Sequence, residues 1–174
     1  MATPLPDGIG REALALHPGR SRLLSLLPLL VLGTILALAL AGLFGGTTTD
    51  WRSVRNEAVA LEVSVPRVMR SGVLFELRFR ITAQRPFEDL HLAISPELLR
   101  DFTINTTIPQ PAEESSEDGL FHLSYGPVQA GETVEIKIDG QVNPALFWGT
   151  EGRIAVFDGE RELASMPLEI RVLP

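Results

Sequence analysis

The chain is predicted to be mainly β, with one apolar N-terminal α-helix followed by an antiparallel β-sandwich of about seven to eight short strands. Three observations carry that prediction. Residues Leu23 to Phe44 form one uncharged, mostly apolar run. From Val59 onward, apolar and polar residues alternate with a period of two, the pattern of a half-buried strand. Gly and Pro punctuate that alternation at short intervals, with almost no helical periodicity between them.

The apolar run comes first. At about 1.5 Å per helical residue it reaches roughly 33 Å, the thickness of a bilayer core. The expected organisation is a cytoplasmic tail over 1–22, a transmembrane helix over 23–44, a juxtamembrane linker over 45–56 and an extracytoplasmic domain over 57–174. Arg11, Arg20 and Arg22 precede the run, whereas Arg52 and Arg55 follow it at a distance, mixed with Asp50 and Glu57. That bias favours a cytoplasmic N-terminus and an outer C-terminal domain. A cleaved signal peptide is the alternative, since Ala37-Leu38-Ala39 and Ala39-Leu40-Ala41 resemble cleavage sites. A signal h-region usually spans only about 7–15 residues, so a retained anchor is the preferred reading. Within the helix, Pro28 is a tolerated kink. Gly33, Ala37, Ala41 and Gly45 recur every fourth residue on one face. That face suits close helix association with a second copy or another membrane protein, or else reflects only the abundance of Ala and Gly.

The linker 45–56 is too short to hold the domain far from the bilayer, since a dozen residues span at most about 40 Å. Strands follow in order. Val59, Leu61, Val63 and Val65 mark the first, and Val73, Phe75, Leu77, Phe79 and Ile81 the second and clearest. Leu90, Leu92 and Ile94 give a third; Phe102, Ile104 and Ile108 a fourth; Phe121, Leu123 and Tyr125 a fifth. After the turn at Ala130-Gly131, Val134, Ile136 and Ile138 lead toward Val142. Ile154 and Val156 then turn through Asp158-Gly159 into a final strand along Met166, Leu168, Ile170 and Val172. Only Pro96-Glu97-Leu98-Leu99 suggests a helical turn.

The long alternating segment "GVLFELRFRITAQ", the following "LHLAIS", the segment "AGETVEIKIDG" and the closing hairpin resemble immunoglobulin-like and fibronectin-III-like bacterial surface modules of the CARDB kind. The resemblance covers about 100 residues. It implies a role in binding, spacing or assembly outside the cell, and it brings no catalytic residues. The paired cysteines and core tryptophan of antibody domains are absent.

Composition narrows the function classes. The chain of 174 residues has a net charge of −7, and only Asp7 and Glu12 of its 22 acidic groups precede the apolar run. A domain of that balance is a poor nucleic-acid binder. With no cysteine, disulfide stapling and thioether lipid anchoring are excluded. Lys137 is the single lysine among 15 basic residues, a bias read as that of GC-rich bacterial coding. The bacterial cytoplasmic membrane is therefore the expected location.

Candidate chemistry is sparse. His17 lies on the tail, while His91 and His122 alternate with apolar strand neighbours and are expected at the surface or a sheet edge. Neither has a second histidine at metal-ligand spacing, and no nucleophile or phosphate-loop motif stands nearby. Glu113, Glu114, Glu117 and Asp118 form an acidic stretch, read as a solvated loop, whose other reading is a cation site. Asn105-Thr106-Thr107 fits a glycosylation sequon, which a bacterial chain would not use. No catalytic, cofactor-binding or metal-binding residue is therefore expected.

The segment Asn143 to Gly149 sets Leu146, Phe147 and Trp148 in a row between Pro and Gly. They either plug the end of the core or form an exposed contact patch for a partner. The expected function is that of a single-pass anchored protein, not an enzyme, whose outer domain binds or positions another envelope or polytopic membrane protein. The alternatives are a receptor module for a sugar or peptide, and a periplasmic sandwich released by signal cleavage. Aromatic content of 6% with a single Tyr argues against a sugar platform.

Overall fold

A computed structural model describes residues 20–44, 49–66, 68–144 and 148–173. The chain divides between Ala41 and Gly42 into two compact units. The first contains helix α1 (Arg20–Leu40), with Pro28 two turns inside it. Side chains are described from Leu26 onward, and those on α1 are exposed. The helix stops earlier than the apolar run predicts, because Gly42 takes a left-handed φ of 76° and turns the chain after Ala41, as glycines beyond helix C-termini do. Among the described residues, no helix is long and apolar enough to cross a membrane. The described side chains of α1, Leu26 to Leu40, cover only about 22 Å of helix.

The second unit is a two-sheet antiparallel sandwich. Its elements are β1 (Thr49–Arg55), β2 (Val59–Pro66), β3 (Val68–Arg70), β4 (Leu74–Ala83), β5 (Leu90–Ile94), α2 (Pro96–Leu99), β6 (Phe102–Ile108), β7 (Glu113–Glu117), β8 (Leu120–Ser124), β9 (Thr133–Val142), β10 (Thr150–Asp158) and β11 (Arg161–Leu173). One sheet has the order β1-β2-β4-β9-β6 and the other β3-β11-β10-β5-β8-β7. All pairings are antiparallel except β3 with β11, which is parallel. The chain changes sheets between β2 and β3, so that β2 belongs to the first layer while β3 pairs with the end of β11 in the second.

Period-two alternation sends one face of each central strand inward. Phe75, Leu77, Phe79 and Ile81 of β4 are buried, whereas Arg78 and Arg80 between them face water. Across the gap lie Leu92 and Ile94 of β5, Ile154 of β10, and Leu168 and Ile170 of β11, each at most 2% exposed. Every such side chain contributes about 1.5–3 kcal/mol by leaving water. The outer face of the first sheet is charged instead: Arg80 bonds Glu135 at 2.9 Å and Glu62 at 3.2 Å, and its guanidinium lies 5.4 Å from the Trp51 ring.

All eight expected strands and the helical turn at Pro96–Leu99 are present, and three further strands were not expected. Residues 49–55 of the expected linker form β1, paired along its length with β2. Val54 packs against the core, and the Asn56 side chain accepts from Ala58 N and Val59 N at 2.8 and 3.0 Å, closing the β1–β2 turn. The acidic stretch is likewise a strand: Glu113–Glu117 pairs with β8 through a two-residue turn at Asp118-Gly119, whose φ values of 49° and 73° suit a tight hairpin. On β6, Ile104 and Ile108 are exposed instead of joining the core; Ile108 lies beyond a slip of the ladder with β9 between Ile104 and Thr106, whereas Ile104 precedes it, opposite Gly140. Such a slip reverses the faces that follow it.

Candidate interaction site

The sandwich has two seams, and one of them is open. β6 ends the first sheet and β7 ends the second, and each pairs with a single neighbour. Between them lies a groove of about 840 Å3. Its apolar lining comes from both layers: Ile94, Phe121 and Leu123 from the second sheet, Ile104 and Ile138 from the first, and Leu99 from α2. Glu97, Arg100 and Glu114 stand at its margin. Ile104 lines the groove just before the slip in β6, and the chain leaves this strand through a cis Ile108-Pro109 bond before returning as β7.

α2 closes one end of the groove and is held firmly for so short a helix. Ser95 N donates to Arg153 O, and Arg153 N donates to Ser95 Oγ, both at 2.9 Å. Thr150 Oγ1 donates to Glu97 O at 2.6 Å. Leu98 is buried beneath the turn. Gly152 makes that seat possible, since a Cβ there would lie 2.7 Å from Leu98 Cγ and closer still to Ser95 Oγ. Along the far wall stand Glu114 and Ser116 of β7, whereas Glu113 and Glu117 fall on the strand's opposite face; all are exposed. The Tyr125 hydroxyl is buried without a hydrogen-bond partner in the structure; burial pushes its pKa up, and the Glu114 carboxylate adds to the effect.

This groove offers apolar burial and unpaired strand edges, both features of a surface that takes up an extended segment of another chain. It was not legible as a site in the sequence. Of the residues singled out there, Trp148 is described and 89% exposed, so it does not plug the core; Leu146 and Phe147 lie outside the described residues. On α1, Gly33, Ala37 and Ala41 are exposed, and Gly33 has open space at its Cβ position. Gly45 lies outside the described residues. Among the described residues, no group of three or more His, Cys, Asp or Glu side chains is placed to hold a metal ion.

The histidines depart from expectation. His122 is buried at 7% exposure on the outward face of the second sheet, and His91 is half-buried. Alternation does turn His122 away from the core, but its neighbours Ala93 and Ala155 are small, and the Phe157 ring lies 5.1 Å away at a tilt. His91 Nε2 is 2.9 Å from Asp89 Oδ2, while Ser124 Oγ donates to Asp89 Oδ1 at 2.8 Å. Burial alone would push the Asp89 carboxyl up; the Ser124 hydroxyl, His91 and the Gly126 N–H outweigh it and hold the group below its ordinary value. The carboxylate stands between serine and histidine, so the imidazole takes no proton from Ser124. In a catalytic triad the imidazole occupies the middle position. The cluster therefore fastens the β4–β5 and β8–β9 connections to each other.

No family model matches the chain, and no curated protein matches it. Solved structures with partial likeness include a cohesin, CaCohA2 from Clostridium acetobutylicum, at 17% identity, with 70% of this chain and 94% of that one covered and a TM-score of 0.44. The chitin-binding domain of a chitinase from Pyrococcus furiosus is 16% identical over 68% of this chain and 100% of its own, with a TM-score of 0.42. MyfA, the major subunit of Myf fimbriae from Yersinia enterocolitica, is 11% identical over 73% of this chain and 99% of its own, with a TM-score of 0.35. Likeness of that degree reaches no further than general β architecture. The two-sheet sandwich stands on this chain's own strand order.

Proposed function

We propose that this chain is a non-catalytic, membrane-anchored binding protein whose sandwich captures an extended segment of another envelope protein. The observation that carries this reading is the open seam between β6 and β7, with its apolar lining and two free strand edges. An added strand would satisfy one edge while its alternate side chains fill the groove. Glu114 on the far wall and Glu97 at the margin favour a segment carrying basic residues. The anchor reading comes from the apolar run Leu23–Phe44 and its flanking arginines, which favour an inner N-terminus and an outer sandwich in the bacterial cytoplasmic membrane.

The test is photo-crosslinking in intact cells from probes at Thr106 and Ser116, one on each wall, with Gln129 as a distant control. A discrete protein adduct from both wall positions, lost in an Ile104→Glu variant, is the expected result. An identical adduct from Gln129, or adducts unaffected by Ile104→Glu, would remove the groove as the binding site.

A further inference from the structure

The two strand edges beside the groove differ in regularity and in charge. β6 carries no charged residue, and its ladder with β9 slips between Ile104 and Thr106, which leaves only the short runs Phe102–Ile104 and Thr106–Ile108. A slip of this kind is one of the ways in which an edge is kept from pairing with a further strand. β7 has no such break. Its residues Glu113–Glu117 pair with β8 in unbroken register up to the two-residue turn at Asp118-Gly119. The pair flanking such a turn exchanges backbone bonds and the pattern then alternates, so Glu114 and Ser116 turn their N–H and C=O groups to the free edge.

The two faces of β7 differ as well. Glu114 and Ser116 line the groove, paired with Leu123 and Phe121. Glu113, Ser115 and Glu117 lie on the outer face, paired with Ser124, His122 and Leu120, none of them a lysine or arginine. On other strands Glu62, Glu76, Glu135, Glu162 and Glu169 each meet a lysine or arginine. Glu113, Glu114 and Glu117 have no such partner among the described residues. Arg100, the cation at the groove margin, is taken up by Asp101 at 3.4 Å.

We infer that β7 is the edge that takes up the partner, and that the partner strand is two-faced, with lysine or arginine on its outer side and large apolar side chains on its groove side. The inference rests on the proposed capture of an extended segment. Glu113 and Glu117 stand four residues apart on one face, so basic residues at the same spacing in an added strand fall opposite both. The side chains that alternate with them point to the other face, where Ile104, Phe121 and Leu123 line the groove. Glu114, exposed at the margin, attracts the same cations. A second copy of this chain is a poor occupant, because antiparallel self-pairing about Ser115 would set Glu113 against Glu117.

The probe is a short fluorescent peptide of strictly alternating lysine and valine, titrated by anisotropy against the full chain in detergent. The expected result is saturable binding that weakens at least about tenfold in a Glu113→Lys, Glu117→Lys double variant and in Ser116→Pro, which removes an edge donor without breaking a bond to β8. Should the proline variant unfold, the double variant, altered only at exposed positions, decides. Equal binding of a peptide with the same composition but its lysines and valines in separate blocks would overturn the two-faced strand. Equal binding to the double variant, or none to the wild type, would overturn β7 as the edge. Loss in Ile104→Glu but not in the β7 variants would overturn this inference while leaving the groove as the binding site, which stands or falls by the crosslinking from Thr106 and Ser116.

Discussion

The two ends of the sandwich are fastened alike and differ in the side chains they leave exposed. At the end remote from chain entry, side chains clasp backbone: Asp158 Oδ1 accepts from Glu88 N at 2.7 Å, Asp89 Oδ1 accepts from Gly126 N at 3.1 Å, and Glu132 accepts from Gln129 N at 3.0 Å. Asn56 belongs to the same group, and its Nδ2 also donates to Leu163 O at 2.7 Å. The entry end is clasped in the same way, with Gln141 Nε2 donating to Gly72 O at 2.9 Å and Thr150 Oγ1 to Glu97 O at 2.6 Å, but here Trp148, Val73 and Leu74 project outward. The remote end uses its polar side chains for its own stability. The entry end leaves its large apolar side chains free to meet something else.

The largest expected effect breaks the entry end at its backbone. Gly149→Ala adds a Cβ at a φ of 117° and against the Ile170 carbonyl, and should cost about 2–3 kcal/mol. Denaturant unfolding of the full chain in detergent measures it; a loss below about 0.5 kcal/mol would mean the loop is free to move away from β11. Next comes Asp89→Ala, which takes the partner from the Ser124 hydroxyl, His91 and the Gly126 N–H and should cost about 2 kcal/mol. Its pH signature has a definite sign. The folded carboxyl titrates below its ordinary value, so its contribution is complete above about pH 4, where the unfolded group titrates, and fades as pH falls toward the lower folded value. Melting of wild type and Asp89→Ala should therefore converge in acid. A gap that widens as pH falls would contradict this assignment. Asn56→Ala, which opens the β1–β2 turn, should cost about 1 kcal/mol; an unchanged melt would show that β1 contributes little to the fold.

Much of this architecture was legible because the second unit obeys one period. β4 and β9 alternate over their whole lengths, and the turns at Ala130-Gly131 and Asp158-Gly159 fall where the alternation pauses. Of the missed strands, β1 and β7 have too little apolar content to alternate, and β3 spans only three residues, too few to show a period. β1 packs Val54 on the core, and β7 has no apolar residue at all. For β7 a signal did exist, since Asp118-Gly119 is a two-residue hairpin turn placed directly before the strand at Leu120. His122 shows a different limit: alternation gives the face on which a side chain lies, but the size of Ala93 and Ala155 beside it decides whether it meets water. The groove was out of reach for a third reason. It joins Ile94, Ile104, Phe121 and Ile138, which come from strands in both sheets and meet only when the sheets pack.

The smallest expected effect on stability is the sharpest probe of the comparison, because it concerns the residue next to the one with the largest. A buried Trp removed to Ala costs about 3–5 kcal/mol. Trp148 is 89% exposed, so Trp148→Ala should change unfolding by no more than about 0.5 kcal/mol. Its backbone remains left-handed in the variant, and that strain is common to both side chains. If melting is unchanged while Gly149→Ala unfolds the domain, two adjacent residues divide their duties, the glycine holding the loop on β11 and the indole serving an outside contact. If Trp148→Ala is instead destabilising by several kcal/mol, the indole packs back onto the sandwich in solution. The exposed apolar surface that sets the entry end apart would then shrink to Val73 and Leu74.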